Sequence, residues 1–468
     1  MLSYKPTPEE LAHKQRLRDQ RLASTAPAFR QAHQVLGRRS TIGCVALEIT
    51  QRCNLDCTLC YLSDYSESVP DPPLDDLKRK LDIIKDKFGV HTNVQITGGD
   101  PTLRPRHELV EITRYAASIG LYPALFTNGI RASRKLLQQL ADVGLVDVAF
   151  HVDMTQERKG YASEVALNEV REKYLERARG LGLALIFNTT IFDGNIHEIP
   201  ELVRFFVRNA GELGMASFQL QADTGRGYLR KRAPLITRQR IRQLIEAGCD
   251  GVPLSWESVL FGHPDCHNIA YTLVSGGKVI DLFDDRDVLG RWLEDFGRVQ
   301  LDRTQAVRSS LRVLRHMLTE RPEWLRHGGA WAGRKLLQAI PPAAAQLLKT
   351  GRRPQLAKLS FFIQNFMDSD HLEQERIHHC SFHVATRSGT MSMCEHNAMR
   401  DDHIIPPNLV RGRDIHPKRP PIAAVVFCAM AGTATTNAAA AAIAVLEKYV
   451  NRSMLIAPRM CRKQIKKM

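Results

Sequence analysis

Cys53, Cys57 and Cys60 stand within eight residues, spaced C-x3-C-x2-C, and are the side chains whose type and spacing most directly imply chemistry. Thiolates this close in sequence can converge on one soft metal centre, whether zinc, copper or an iron–sulfur cluster. A structural zinc site takes four protein ligands, usually as two separated pairs, and no second C-x2-C pair occurs in the chain. A [4Fe–4S] cubane held by three cysteines instead keeps one iron open to another molecule. Three merely buried or disulfide-bonded thiols are the bland alternative, and such clustering argues against it.

The flanking sequence predicts the elements that position this loop. Residues 43–50 form a short apolar run rich in β-formers, a strand that ends just before Cys53; Cys44 within it reads as core. Residues 72–88 carry Leu74, Leu77, Leu81 and Ile84 at helical spacing and stop at Gly89. A strand over 93–97 then runs into Gly98-Gly99-Asp100-Pro101-Thr102, where glycines let backbone approach a ligand and an acid can receive an ammonium group. The alternation continues: helices over 106–119, 133–143, 164–181 and 200–209, strands over 122–127, 146–152, 183–191 and 216–221. This order predicts a parallel sheet with its helices outside and polar residues gathered at the strand ends, where such folds do their chemistry.

The C-x3-C-x2-C loop followed by Gly98-Gly99-Asp100 resembles the radical SAM superfamily, whose signature is C-x3-C-x-φ-C with a downstream GGE motif. Leu59 stands at φ, Tyr61 follows, and Asp100 replaces the commoner Glu. The resemblance covers roughly residues 41–226 and implies a partial (β/α)6 TIM-like barrel. It further implies a [4Fe–4S] cluster on Cys53, Cys57 and Cys60, whose open iron chelates S-adenosylmethionine (SAM), and a one-electron donor such as flavodoxin or ferredoxin. Gly98, Gly99 and Asp100 would hold the amino group of SAM, and Thr127, Asn128, His151, Asp153, Asn188 and Gln221 fall where the family's SAM contacts commonly lie. Each of these strand-end residues has a plain alternative as a cap of the next turn. Asp223-Thr-Gly-Arg-Gly227 marks a turn leaving the last strand, with Arg226 placed for a carboxylate or phosphate.

The second half predicts an α+β extension. Gly262-His-Pro-Asp-Cys266-His267 precedes a hairpin over 270–282, residues 285–350 read as basic helices, 359–367 as a strand, and Ser388-Gly389 as the turn of a hairpin with Cys380 and Cys394 at its ends. Cys266, Cys380 and Cys394 are therefore candidate ligands of an auxiliary iron–sulfur cluster; Cys249, Cys428 and Cys461 read as buried thiols. His-Pro-Asp-Cys266, Asn365-Phe-Met-Asp368, Cys380-Ser-Phe-His-Val-Ala-Thr386 and Met393-Cys394-Glu-His-Asn397 together resemble a tetraether-synthase-like branch that joins lipid chains at unactivated carbons. The rubredoxin-like cysteine pairs of that branch are missing here.

With 468 residues, 44% hydrophobic and 25% charged, the chain has room for one large core, and its net charge of +15 favours an anionic membrane surface or substrate, with no nucleic-acid motif present. Ten cysteines and a charged start without an apolar signal core predict a reducing cytoplasm, with contact to the membrane surface as an option. The expected organisation is a helical lead-in over 1–40, helical from residue 8 to 38 and packed on the barrel edge, a barrel over 41–228, an extension over 229–410, and an Ala-rich, basic tail over 411–468. The expected function is a radical SAM enzyme acting on a bulky, lipid-like substrate. The alternatives are a peptide or cofactor maturase with an auxiliary cluster and a non-catalytic iron–sulfur sensing protein. A cobalamin-dependent methyltransferase is not expected, for want of a Rossmann-like domain ahead of the barrel.

Overall fold

The computed structural model describes residues 4–227, 232–351 and 353–406. The expected Ala-rich tail, with Cys428 and Cys461, lies outside the described residues.

Six strand–helix units begin with the strand that leads into the cysteine loop. They are β1 (Cys44–Thr50) with α2 (Leu74–Phe88), β2 (Asn93–Gly98) with α3 (Arg106–Ser118), and β3 (Tyr122–Thr127) with α4 (Arg134–Asp142). Then come β4 (Asp147–His151) with α5 (Asn168–Ala178), β5 (Ala184–Ile191) with α6 (Ile199–Arg208), and β6 (Leu213–Leu220) with α7 (Arg238–Gly248). Ahead of them lies α1 (Pro8–Ser24), and after them the hairpin β7 (His267–Ser275) and β8 (Lys278–Asp281). Three helices follow, α8 (Arg286–Phe296), α9 (Ala306–Thr319) and α10 (Glu323–Thr350), then β9 (Leu356–Gln364), α11 (Gln374–His378), the hairpin β10 (Phe382–Ala385) and β11 (Thr390–Ser392), and α12 (Met393–Ala398) and α13 (Arg400–Ile404).

All eleven strands form one sheet in the order β11-β10-β1-β2-β3-β4-β5-β6-β9-β7-β8. Pairing is parallel from β10 through β1 and onward to β9, and antiparallel only in the two outer hairpins and where β7 meets β9. The sheet curves as a partial TIM-like barrel and is not closed, and the second half of the chain extends it on both sides. The pleat sorts its side chains with period two. On β2, β5 and β6 the convex face carries Val94, Ile96, Leu185, Phe187, Ala216 and Phe218, buried under the helices with Leu77, Leu81 and Ile84 of α2. The concave face carries Gln95, Thr97, Asn188, Thr190, Ser217 and Gln219, polar groups that point into the barrel.

The lead-in corrects one expectation. A capping box between Thr7 and Glu10 starts α1, but the helix ends at Ser24 and not near residue 38. Pro27 excludes the helical conformation from Ala26 before it, whose backbone is extended (φ −56°, ψ 143°). The helix packs beside α2: Lys14 Nζ donates to the Val90 carbonyl (2.6 Å) and His13 bonds the Asp86 carbonyl (2.8 Å). Among the described residues no helix is long and apolar enough to cross a membrane.

Two local constraints set the barrel's upper rim. The Gly98-Gly99 turn lies against the start of the cysteine loop, with Gly99 N–H donating to the Thr50 carbonyl (2.9 Å) and Asp100 N–H to the Arg52 carbonyl (2.8 Å). A Cβ on Gly98 or on Gly99 would sit 2.0 Å from the Thr50 or Arg52 carbonyl oxygen, and Gly98 holds φ +123° besides. At the end of β4, fully buried Arg171 donates to the carbonyls of Val152 (2.7 Å) and Glu164 (3.0 Å) and pairs with the Glu164 carboxylate, which also accepts the Met154 N–H (3.1 Å). Replacing Arg171 with Leu strands that carboxylate in the core and should cost about 3–5 kcal/mol in chemical denaturation. Gly99→Ala should lower stability by about 2 kcal/mol or more and reduce the iron the protein takes up. Gly333→Ala, in open space on α10, should be neutral or gain about 0.5–1 kcal/mol.

Candidate active site

Cys53, Cys57 and Cys60 line one cavity at the carboxyl ends of β1–β6, together with Gly98, Gly99, Thr127, Asn128 and Asn188. The space is about 220 Å³, and its outer wall is the cysteine loop itself, which is only half-buried. The loop is clamped from both sides. Tyr61 donates its hydroxyl to the Gly98 carbonyl (2.6 Å), Thr58 N–H to the Thr155 carbonyl (2.8 Å), and Arg226 and Gly227 N–H reach back to Leu62 (2.7 Å) and Cys60 (3.1 Å). Gly225 lies so close that a Cβ would fall 2.3 Å from the Tyr61 backbone.

Cys53 and Cys57 are held toward their neutral form. Burial pushes Cys53 up to about 11, and burial with the neighbouring Cys60, Asp153 and Cys53 raises Cys57. Thiols in that state yield their protons to a cation, and metal binding supplies one. Arg226, its side chain 1% exposed, is a resident cation beside them. Burial works against its charge, yet Cys60 and Asp56 outweigh that and hold the guanidinium above its ordinary value. Its nearest carboxylate oxygens are 3.8 Å (Asp56) and 3.6 Å (Glu67) away, and among the described residues its Nε and Nη1 have no hydrogen-bond partner. Among the described residues no three His, Cys, Asp or Glu side chains gather as around a single metal ion. Three thiolates on three irons of a cubane stand further apart than three on one ion. The donor set, the buried guanidinium and the two Cβ-free positions fit an iron–sulfur cluster with a small ligand against the Gly-Gly turn.

Not every residue expected at this site lines it. Asp100, assigned from sequence to an ammonium group, is fully buried behind the wall. Its carboxylate accepts Thr102 N–H (2.9 Å), Thr127 Oγ1–H (2.8 Å) and Asn128 N–H (2.9 Å), tying β2 to β3. Asp153 is likewise buried, accepting from Thr155 N–H (3.0 Å), Thr190 N–H (2.8 Å) and His151 (2.6 Å). Burial alone would raise its pKa, but these partners, His151 foremost, hold it down to about 2. Gln221 lies one step beyond the strand end, and Gln219 takes the lining position. His151 lines the cavity, as do Thr97, Thr190, Gln219, Asn397 and Arg400, which the sequence reading does not single out. Thr97, Thr190 and Gln219 each lie two residues beyond an inward-facing position of the same strand, Gln95, Asn188 and Ser217; Arg400 arrives from α13 and has no such signal. It pairs with buried Glu48 (2.8 Å) and stacks on the Tyr61 ring, 4.7 Å from its centroid.

Cys266, Cys380 and Cys394, far apart in sequence, are brought together. Burial and the neighbouring Cys394 and Cys266 push Cys380 up to about 12, and burial and Cys266 push Cys394 up to about 11. Each sulfur faces an N–H: Arg376 Nε at 3.4 Å from Cys266, Phe382 N at 3.4 Å from Cys380, Met367 N at 3.5 Å from Cys394. Cys44 and Cys249 are buried, as read from sequence, and Cys44 neighbours Cys380.

The sequence profile of the radical SAM superfamily matches residues 47–206. The PqqA peptide cyclase of Bradyrhizobium diazoefficiens is 33% identical over 181 residues, covering 37% of this chain and 46% of that protein. The 7,8-dihydro-6-hydroxymethylpterin dimethyltransferase of Methanocaldococcus jannaschii is 27% identical over 194 residues, covering 40% and 38%. The chain thus spans less than half the length of these curated relatives. Among solved structures, SuiB of Streptococcus suis superposes with a TM-score of 0.37 at 17% identity over 53% of each chain. The cysteine loop, the glycine turn and strands β2–β5 lie inside the matched span, and it is over residues 47–206 that the chain is similar to the radical SAM superfamily.

Proposed function

We propose that this chain is an enzyme that cleaves SAM reductively at a [4Fe–4S] cluster on Cys53, Cys57 and Cys60 and takes a hydrogen atom from a large substrate. The observation that carries the reading is that the three thiols, the Gly98-Gly99 turn and a ring of strand-end amides and hydroxyls line one cavity. When bound, the reduced cluster and SAM supply a 5′-deoxyadenosyl radical able to abstract hydrogen from an unactivated carbon.

The chain's own part is placement. The three cysteines would bind as thiolates, with Arg226 offsetting their charge from the sheltered side. Gly98 and Gly99 would offer backbone polar groups to the methionine end of SAM, and Asn128, Asn188, Thr190 and Gln219 would orient the remainder by hydrogen bonds. Asp100 and Asp153 act through others: their saturated carboxylates fix the strand-end backbone from which those side chains project. Phe126, Phe366 and Phe382 line the cavity and would exclude water from it. Cys266, Cys380 and Cys394 would hold a second cluster, with Arg376 and two backbone N–H groups turned to its sulfurs.

Peptide modification is a second reading for the substrate, favoured by the name of the cyclase that matches at 33% identity; the lipid-like substrate draws no support from the relatives. Anaerobic reconstitution of the wild type should load about eight irons per chain, and Cys57→Ala and Cys380→Ala about four each. A Cys57→Ala protein without iron would rule out the second cluster. Dithionite and SAM should yield 5′-deoxyadenosine from the wild type and none from Cys57→Ala. A fully loaded, reducible wild type that makes none would favour an iron–sulfur binding protein.

A further inference from the structure

The concave face encloses a second cavity, of about 1030 Å³, below the first. It begins at the amino ends of β1–β4 and is roofed by α1, residues 298–303 and the first turn of α9. The lining residues that are themselves exposed, Ala12, Arg298, Arg303, Ala306 and Ser310, mark a mouth on the side opposite the cysteine loop. Gln95, Phe126, Asn188, Gln364 and Phe382 line both cavities and form the layer between them. A space this size is within the range of sites for elongated small molecules.

Its charge is unbalanced. Lys14, Arg18 and Arg39 line it, and their hydrogen bonds go to carbonyls: Lys14 to Val90 (2.6 Å), Arg18 to Gly297 (2.8 Å), Arg39 to Val299 (2.7 Å). Among the described residues none of the three has a carboxylate at ion-pair distance, and burial together with the two guanidiniums pushes Lys14 down to about 7. The acids at the same level are taken, Asp147 by Arg303 (2.6 Å) and Asp302 by Tyr122 (2.8 Å). Arg18 Nε, Ser217 Oγ and Gln364 Oε1 belong to side chains more than nine-tenths buried and among the described residues have no hydrogen-bond partner. A buried guanidinium grouped with two half-buried cations and with orphaned polar atoms in one cavity is costly unless a ligand meets them.

We propose that this lower cavity binds an elongated molecule ending in a carboxylate or phosphate, the anion among Lys14, Arg18 and Arg39 and the apolar chain along Ile186, Met215 and Phe362 toward the shared layer. On the function proposed above, that chain would present its far end beneath the reacting cavity; the binding itself does not require that function. Titration calorimetry on the reconstituted protein tests it with octyl phosphate and octanoate, against inorganic phosphate and octyl glucoside. One or both anionic chains should bind at a single site, and the two comparators about tenfold more weakly or less. Lys14→Met and Ser217→Phe, on different elements, should each weaken binding about tenfold, with melting temperature and cluster absorbance as controls. Equal binding of octyl glucoside overturns anion recognition, equal binding of inorganic phosphate overturns the chain, and unchanged affinity in a folded Lys14→Met overturns the placement. A wild type that binds octyl phosphate but forms no SAM-reactive cluster refutes the proposed function and leaves this site standing.

A separate observation carries a second proposal. Val307, Leu311, Leu314 and Leu318 recur on one face of α9 and are 46–75% exposed, and Leu336, Leu337, Ile340 and Leu348 are exposed on α10. The same segment, residues 306–350, contains six arginines and two lysines against Glu320 and Glu323. We infer that this helical pair lies flat on an anionic lipid surface, leucines in the interface and arginines at the headgroups. Ala306 and Ser310, at the lower cavity's mouth, belong to α9, so docking would bring that mouth to the lipid. Vesicles of phosphatidylcholine with phosphatidylglycerol should sediment the full chain and pure phosphatidylcholine should not. The pair Leu311→Glu and Leu336→Glu should reduce binding about tenfold. Absence of binding overturns the proposal, and an oligomer that the double variant dissociates assigns the face to a second copy instead.

Discussion

The alternation of side chains across the pleat is the constraint on which this molecule depends. Each inner strand must bury one face under its helix and turn the other toward the barrel axis. An open sheet of eleven strands leaves that inner face too wide for side chains alone to fill. The inward positions mix polar, aromatic and aliphatic groups, Gln95 and Asn188 beside Phe126, Ile186 and Met215, and they bound two spaces on one axis. The upper space is framed by thiols and glycines, the lower by cations. One rule of strand geometry thus accounts for the core, the candidate active site and the cavity beneath it.

Charge balance distinguishes these sites from ordinary packing. Where buried charges serve the scaffold they are matched: Arg400 with Glu48, Arg171 with Glu164, Arg104 with Glu108. Where the matching is looser, the excess is chemically specific. Arg226 stands beside three thiols with its nearest carboxylates at 3.6 and 3.8 Å, Arg376 divides its guanidinium between Glu373 and Cys266, and among the described residues Lys14, Arg18 and Arg39 share a cavity with no carboxylate at ion-pair distance. Cations that are sheltered from water and loosely matched are expensive, so their concentration at these places is the physical argument for anionic occupants.

Much of this was legible in the sequence. The helical spacing of Leu74, Leu77, Leu81 and Ile84 and the β-rich runs between helices mark the barrel to within a few residues, because both signals are local. Cys53, Cys57 and Cys60 and the glycine pair were legible for the same reason. Which oxygen faces the cavity was not, since Asp100 and Asp153 are claimed by neighbours 27 and 37 residues away, Thr127 and Thr190. The joining of β9 to β6 and of β10 to β1 was also hidden, because no local pattern records a partner more than a hundred residues distant. Cys266, Cys380 and Cys394 could be grouped by their turns, but only the sheet brings them together. The lower cavity had no sequence signal, since its cations come from α1 and from residue 39, which read as a basic lead-in.

The pairing of β1 with β10 has a consequence for the order in which the chain can be completed. Cys44 lies opposite Phe382, so the strand leading into the cysteine loop gains its outer neighbour only after roughly 340 further residues have been made. At about 5–20 residues per second that interval is some 20–70 s, during which β1 presents a bare, apolar edge beside three exposed thiols. Iron delivered in that window would meet an unfinished rim, and a nascent chain could pair there instead. The last described hairpin thus completes that side of the open sheet, making vectorial synthesis itself a reason for a cluster to be inserted late.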